Sequence, residues 1–108
     1  MDNFKIIYRI LKHLEMSMDC EVLDMKVISH SQLDITRERW EQLLIMMQDE
    51  GYIRGIVTAQ SLSDSHRWIA EPIAPEITIK GLEYLAENSF MKKAMNLAKG
   101  VKDSIPGL

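Results

Sequence analysis

Three side chains that can read nucleic-acid bases lie close together in the chain: Arg37, Arg39 and Gln42. Arginine and glutamine make paired hydrogen bonds to guanine and adenine in the major groove. Further along, Arg54, His66 and Arg67 offer the donors that commonly contact phosphate. If one helix presents the first three side chains and a hairpin the others, this pattern predicts binding to double-stranded DNA.

The same stretch also supports an alternative function. On a helical wheel of residues 37–50, Trp40, Leu43, Leu44 and Met47 form the buried face, which turns Glu38, Glu41, Gln42, Ile45 and Asp49 outward. Carboxylates repel phosphate, whereas an outward Ile45 with Met46 beside it fits a contact with another protein. The alternative is therefore a protein-interaction module for a host protein or a second copy. A core helix whose outer face has no function is a third interpretation.

Catalytic and metal-binding chemistry have little support in the sequence. The histidines His13, His30 and His66 lack metal-ligand spacing, and Cys20 is the only cysteine. The carboxylate pairs Glu38–Glu41 and Asp49–Glu50 belong to a helix face expected to be solvated. We therefore expect a non-enzymatic protein with no cofactor, metal or small-molecule substrate, and a half-buried Cys20.

Length and charge narrow the functional classes. A chain of 108 residues with 46% hydrophobic and 27% charged residues is typical of one globular domain, and no apolar run is long enough to cross a bilayer. The first residues lack a signal-peptide cleavage pattern, which predicts a cytoplasmic protein. The net charge is −3, but residues 13–89 carry fourteen acidic and six basic residues, a net −8, whereas both ends are basic.

Local signals divide the chain into elements. Apolar periodicity predicts a helix from Phe4 to Met18, with Lys5, Arg9 and Lys12 on its other side, then an extended piece at residues 21–23 and a short helix ending near Leu33. Thr36 predicts the start of a helix over residues 37–50, with Ile35 packing on Trp40, and Gly51 predicts its end.

The second half of the chain predicts a hairpin followed by two helices. Its strands are residues 52–59 and 67–73, and Pro72 and Pro75 are expected to end the ladder. Thr78 predicts the start of a helix over residues 79–87. A last helix is predicted from Phe90 to about Ile105, with an apolar stripe opposite Lys92 and Lys99 and with Lys93 and Lys102 nearby.

This element order predicts an α+β fold, a winged helix-turn-helix with a two-stranded wing and an additional C-terminal helix. We expect a single domain, with residues 1–88 as the winged-helix core and 89–108 as the added helix. Asp34 stands in the turn before the middle helix, where a positive φ is common and glycine is usual. The fold makes DNA binding the leading expectation and protein interaction the alternative.

Three segments resemble a known family: FKIIYRILKHLE, TRERWEQLLIMMQDEGYIRG and ITIKGLEYLAENS. Together they resemble the YjcQ family, small winged-helix proteins of Gram-positive bacteria and their phages. The resemblance covers nearly the whole chain and implies a winged helix, a transcription-regulator-like function or a phage or prophage accessory factor, and no established activity.

Overall fold

A computed structural model of the chain describes residues 2–63 and 67–90. They form three helices, α1 (Asn3–Met16), α2 (Arg37–Asp49) and α3 (Ile79–Glu87), and four short strands, β1 (Ile53–Arg54), β2 (Thr58–Gln60), β3 (Arg67–Ile69) and β4 (Glu76–Ile77). The α+β class is confirmed. No helix in these ranges is long and apolar enough to cross a membrane. His66, Lys92, Lys93, Lys99, Lys102 and the predicted last helix beyond Phe90 lie outside the described residues.

α1 begins at Asp2, whose carboxylate accepts a hydrogen bond from the amide of Lys5 at 2.9 Å. Its buried side chains are Ile6, Tyr8, Ile10, Leu11 and Leu14. The predicted apolar stripe is therefore wrong at both ends, because Phe4 and Met18 are each 63% exposed. Met18 lies in the 3₁₀ helix Ser17–Asp19 that follows α1, so the periodicity of α1 does not extend to it.

The segment between α1 and α2 is irregular rather than a regular helix. A 3₁₀ helix spans Met25–Ile28, and hydrogen-bonded turns follow it up to Asp34, in place of the predicted extended piece and short helix. Ile28 and Leu33 are buried, which fixes the segment to the core. Asp34 has a φ of +56°, as its place in the turn predicts. Cys20 is exposed, so its expected half-buried position is wrong.

α2 begins and ends where the sequence predicts. The hydroxyl of Thr36 accepts a hydrogen bond from the Arg39 amide at 3.2 Å, and Gly51 closes the helix with a φ of +86°. The predicted buried face of Trp40, Leu43, Leu44 and Met47 is confirmed. The indole Nε1 of Trp40 donates to the carbonyl of Ile28 at 2.9 Å, which ties α2 to the irregular segment before it.

The strands form two antiparallel pairs. β2 pairs with β3, with Ala59 opposite Trp68, and β1 pairs with β4, with Ile53 opposite Ile77. The β2–β3 ladder ends at Ile69, before Pro72, as expected. The predicted strand of residues 52–59 is divided into β1 and β2, and β4 begins directly after Pro75 and forms a separate ladder with β1. A proline immediately before a strand removes no donor from the ladder, so β4 can pair there.

α3 has the predicted bounds and cap. The hydroxyl of Thr78 accepts a hydrogen bond from the amide of Gly81 at 3.1 Å. Gly81 is buried against the carbonyl of Tyr52, where a Cβ atom would collide. This close approach brings α3 onto the start of the strand region, and its other side packs on α1.

Candidate binding surface

The β2–β3 hairpin packs against α2, the helix that carries most of the predicted binding residues. The Glu41 carboxylate accepts a hydrogen bond from the backbone amide of Ile69 in β3 at 2.9 Å. Ile69 is buried, so Glu41 satisfies a strand donor that would otherwise lack a partner there. Glu41 therefore positions the hairpin.

Two further residues of α2 hold the hairpin. The amide group of Gln48 donates to the carbonyl of Ile56 and accepts from its N–H, both at 2.8 Å. Asp49 forms an ion pair with Arg67 at 3.2 Å. We call Glu41, Gln48 and Asp49 the hairpin clamp. It contacts the chain on both sides of the hairpin, before β2 and along β3.

Because the hairpin packs on α2, the predicted outer face of this helix is wrong at Ile45 and Glu41. Ile45 is only 7% exposed and belongs to the core, so it is not an outward side chain available to a partner. Only 17% of the Glu41 side chain is exposed. The wheel of an isolated helix places both residues outward, but the packed hairpin buries this side.

The outer face that remains exposed on α2 lies farther around the helix. Its members are Glu38, Arg39, Gln42, Met46, Asp49 and Glu50, and we keep the name outer face for this set. Met46 is 51% exposed and is its one large apolar side chain. Asp49 is already paired with Arg67, so the carboxylates of Glu38 and Glu50 stand against the guanidinium of Arg39, and the surface is weakly acidic with an apolar centre.

The two arginines of α2 that are predicted to bind DNA already have side-chain partners within the molecule. Arg37 forms ion pairs with Glu41 at 3.5 Å and with Glu71 at 3.4 Å, and its guanidinium lies 5.9 Å from the ring centre of Trp40. Arg39 donates from Nε to the side-chain oxygen of Asn3 at 2.9 Å. Arg37 thus turns toward the strand region, and Arg39 toward the start of α1.

The arginines of the strand region are paired in the same way. Arg54 lies 3.6 Å from Glu76, across the β1–β4 ladder, and Arg67 belongs to the hairpin clamp through Asp49. Exposed ion pairs contribute little to stability, about 0–1 kcal/mol. Their electrostatic effect is nevertheless clear, because each guanidinium has a carboxylate within 4 Å.

The predicted basic stripe of α1 is only partly exposed. Lys5, Arg9 and Lys12 are all half-buried. Lys12 donates to Glu15 at 2.7 Å, and this hydrogen bond raises the pKa of Lys12. The positive charge of this stripe is therefore partly neutralised at one end by Glu15.

Sequence reasoning missed four residues that shape this surface: Asn3, Gln48, Glu71 and Glu76. One signal for Gln48 was available, since it follows Glu41 by seven positions and lies on the same side of the helix. Asn3, Glu71 and Glu76 are distant in sequence from their partners and left no local signal. Among residues 2–63 and 67–90, no group of His, Cys, Asp and Glu side chains could hold a metal ion.

Replacing Gln48 with alanine is expected to loosen the hairpin. The change removes two hydrogen bonds and leaves the N–H and carbonyl of Ile56 unpaired, which should lower the free energy of unfolding by about 1–3 kcal/mol. Hydrogen exchange at the Ile56 and Ile69 amides should speed up as well.

The matched control for this change is Gln42→Ala, because Gln42 lies exposed on the same helix. It should change stability by no more than about 0.5 kcal/mol. Equal effects of the two substitutions in urea unfolding would show that Gln48 does not hold the hairpin.

Two comparisons with known proteins relate the chain to others. The family model described as "YjcQ protein" matches residues 8–104. A protein of Bacillus subtilis (strain 168), "Uncharacterized protein YjcQ", is 31% identical over 78 residues, which cover 72% of this chain and 78% of that protein. No solved structure matches the chain significantly.

Proposed function

The chain belongs to the YjcQ family, and from its surface we propose that it is a non-enzymatic winged-helix protein that binds another protein through the outer face of α2. The element order supports the winged-helix part of the proposal. α2 follows a tight turn at Asp34 and leads into the β2–β3 hairpin, which takes the place of the wing, and α3 follows.

The observation that carries the proposal is the pairing of the arginines. A phosphate that approaches Arg37, Arg54 or Arg67 also approaches the carboxylate beside each of them. Affinity for a duplex depends mainly on cations that neutralise phosphates. These pairs present almost no net positive charge, and the outer face adds Glu38 and Glu50 to the repulsion.

The same surface has the chemistry of a small protein contact. Met46 supplies a flexible apolar side chain that can enter a pocket, and the carboxylates around it form a polar rim. A partner with complementary charge would present lysine or arginine side chains around an apolar recess. Such a rim contributes mainly to the rate and specificity of association, whereas Met46 would contribute affinity.

One observation favours DNA binding as a second candidate. Arg39 and Gln42 both lie exposed on the outer face, near the start of α2, where recognition helices usually meet bases. Arg39 would have to exchange Asn3 for a base edge. Arg39→Ala therefore separates the two functions, because it should abolish duplex binding but leave a contact centred on Met46 largely intact.

The proposal is tested by crosslinking and reconstitution. A photoreactive amino acid placed at position 46, in cells that make the protein, should give a discrete protein adduct that the same probe at Gln60 does not give. With the purified partner, Met46→Asp should weaken binding at least about tenfold, or 1.4 kcal/mol. No adduct from position 46, or duplex binding that Arg39→Ala abolishes, would refute the protein-interaction function.

A further inference from the structure

The outer edge of β2 is open along two residues. In register with the β2–β3 ladder, the amide of Ala70 donates to the carbonyl of Val57 at 2.8 Å. Hydrogen-bonded and non-hydrogen-bonded pairs alternate in an antiparallel ladder, so the N–H and carbonyl groups of Thr58 and Gln60 point away from β3. Within the part of the chain that the structure describes, β2 pairs only with β3. We call the backbone of Thr58 and Gln60 the β2 edge.

The hairpin clamp covers the positions around the β2 edge but not the edge itself. Glu41 accepts from the outward N–H of Ile69 on β3, and Gln48 holds both backbone groups of Ile56, before β2. An open strand edge is a template for another strand, and proteins commonly protect it with charges, proline or a covering element. Residues 56–63, IVTAQSLS, contain no charged residue and no proline. The β2 edge is therefore unprotected against pairing.

The β2 edge is complementary to itself. Thr58 and Gln60 lie symmetrically about Ala59, so a two-fold axis at Ala59 places Thr58 of one copy opposite Gln60 of the other. In this register each of the two residues donates to and accepts from its counterpart. A register centred on Thr58 would need the backbone groups of Ile56, which Gln48 already holds. An uncharged strand also meets no like charge in its own copy.

The side chains that this pairing brings together are small or apolar. Ala59 would meet its copy in a non-hydrogen-bonded pair, where Cα atoms lie only about 4.5 Å apart, and its small side chain fits there. Trp68 lies opposite Ala59 on β3 and is 39% exposed. Val57 is 65% exposed on the same face, because alternate residues of a strand share a face. The outer faces of two paired hairpins would therefore join into one apolar surface.

We propose that two copies of the chain form a homodimer by antiparallel pairing of their β2 strands, so that the two β2–β3 hairpins make one continuous sheet. The pairing gives the outward backbone groups of the β2 edge hydrogen-bond partners in place of water. It uses neither the outer face of α2 nor the hairpin clamp, so it does not depend on the proposed function. Each dimer would present two outer faces of α2 to protein partners.

Opposite charges at position 59 test the pairing and its register. Ala59→Asp and Ala59→Lys each place two like charges across the two-fold axis, so each variant alone should dimerise at least about tenfold more weakly than the wild type, or 1.4 kcal/mol. Their equimolar mixture places opposite charges there and should recover the dimer in sedimentation equilibrium of the full chain. Met46→Asp is the control and should dimerise as the wild type does, because Met46 lies on the outer face of α2. A monomeric wild type, or a mixture that dimerises no more tightly than the separate variants, overturns the proposal.

Hydrogen exchange of the unaltered protein supplies a second measurement that needs no substitution. The amides of Thr58 and Gln60 should exchange more slowly as the protein concentration rises, whereas the amides of α1 should not change. A photoreactive amino acid at Gln60 should crosslink to a second copy of the chain, and the mass of this product distinguishes it from the adduct at position 46. Fast exchange of both β2-edge amides at every concentration, or a crosslink from Gln60 only to a different protein, contradicts the homodimer.

Discussion

Replacing Ile45 with aspartate is expected to unfold the domain. Ile45 is 7% exposed among core side chains beneath the hairpin, so the change would bury a carboxylate without a partner. Uncompensated burial of a charge costs about 3–5 kcal/mol, a large part of the 5–15 kcal/mol that stabilises a typical domain. Urea unfolding followed by circular dichroism would measure the loss.

The neighbouring residue provides the control for Ile45→Asp. Met46 is 51% exposed, so Met46→Asp should leave the unfolding transition within about 1 kcal/mol of the wild type. A folded Ile45→Asp protein as stable as Met46→Asp would place Ile45 on the outer face. That result would support the outer face of α2 that the sequence alone predicts.

Trp40→Ala is expected to cost about 3–5 kcal/mol as well, but for a different reason. Trp40 is 5% exposed, and its loss would open a cavity between α2 and the irregular segment before it. The substitution would also leave the Ile28 carbonyl without its donor. Circular dichroism in urea suits this measurement, since it does not depend on indole fluorescence.

Trp68→Ala removes the same side chain from an exposed position in β3. Trp68 is 39% exposed, and we expect a loss of about 1 kcal/mol or less. If the two tryptophan variants were equally stable, Trp40 would not be the side chain that joins α2 to the residues before it.

The sequence predicted the features that depend on neighbouring residues. Thr36 and Thr78 each satisfy an amide three positions ahead, and Gly51 and Asp34 adopt positive φ angles, so their types indicated their roles. The sequence also predicted the buried stripe of α2, because its periodicity is that of a helix with one face on a core.

The sequence did not predict the features that depend on distant parts of the chain. The sequence placed Ile45 and Glu41 on the outer face of α2, because nothing in residues 37–50 shows that the hairpin packs over them. The pairing of Arg37 with Glu71 joins positions 34 residues apart, so spacing could not reveal it. β4 was missed because it is two residues long and follows a proline.

The affinity for a duplex tests the proposed function most directly. A fluorescent random-sequence duplex would be titrated with the wild type and with a Glu38→Gln, Glu50→Gln double variant, which neutralises two exposed carboxylates without altering the hairpin clamp. Fluorescence anisotropy at about 150 mM salt is the readout, because screening there limits non-specific attraction. We expect no saturable binding by either protein. Saturable binding by the wild type that tightens in the double variant would contradict the proposal and assign the outer face of α2 to DNA.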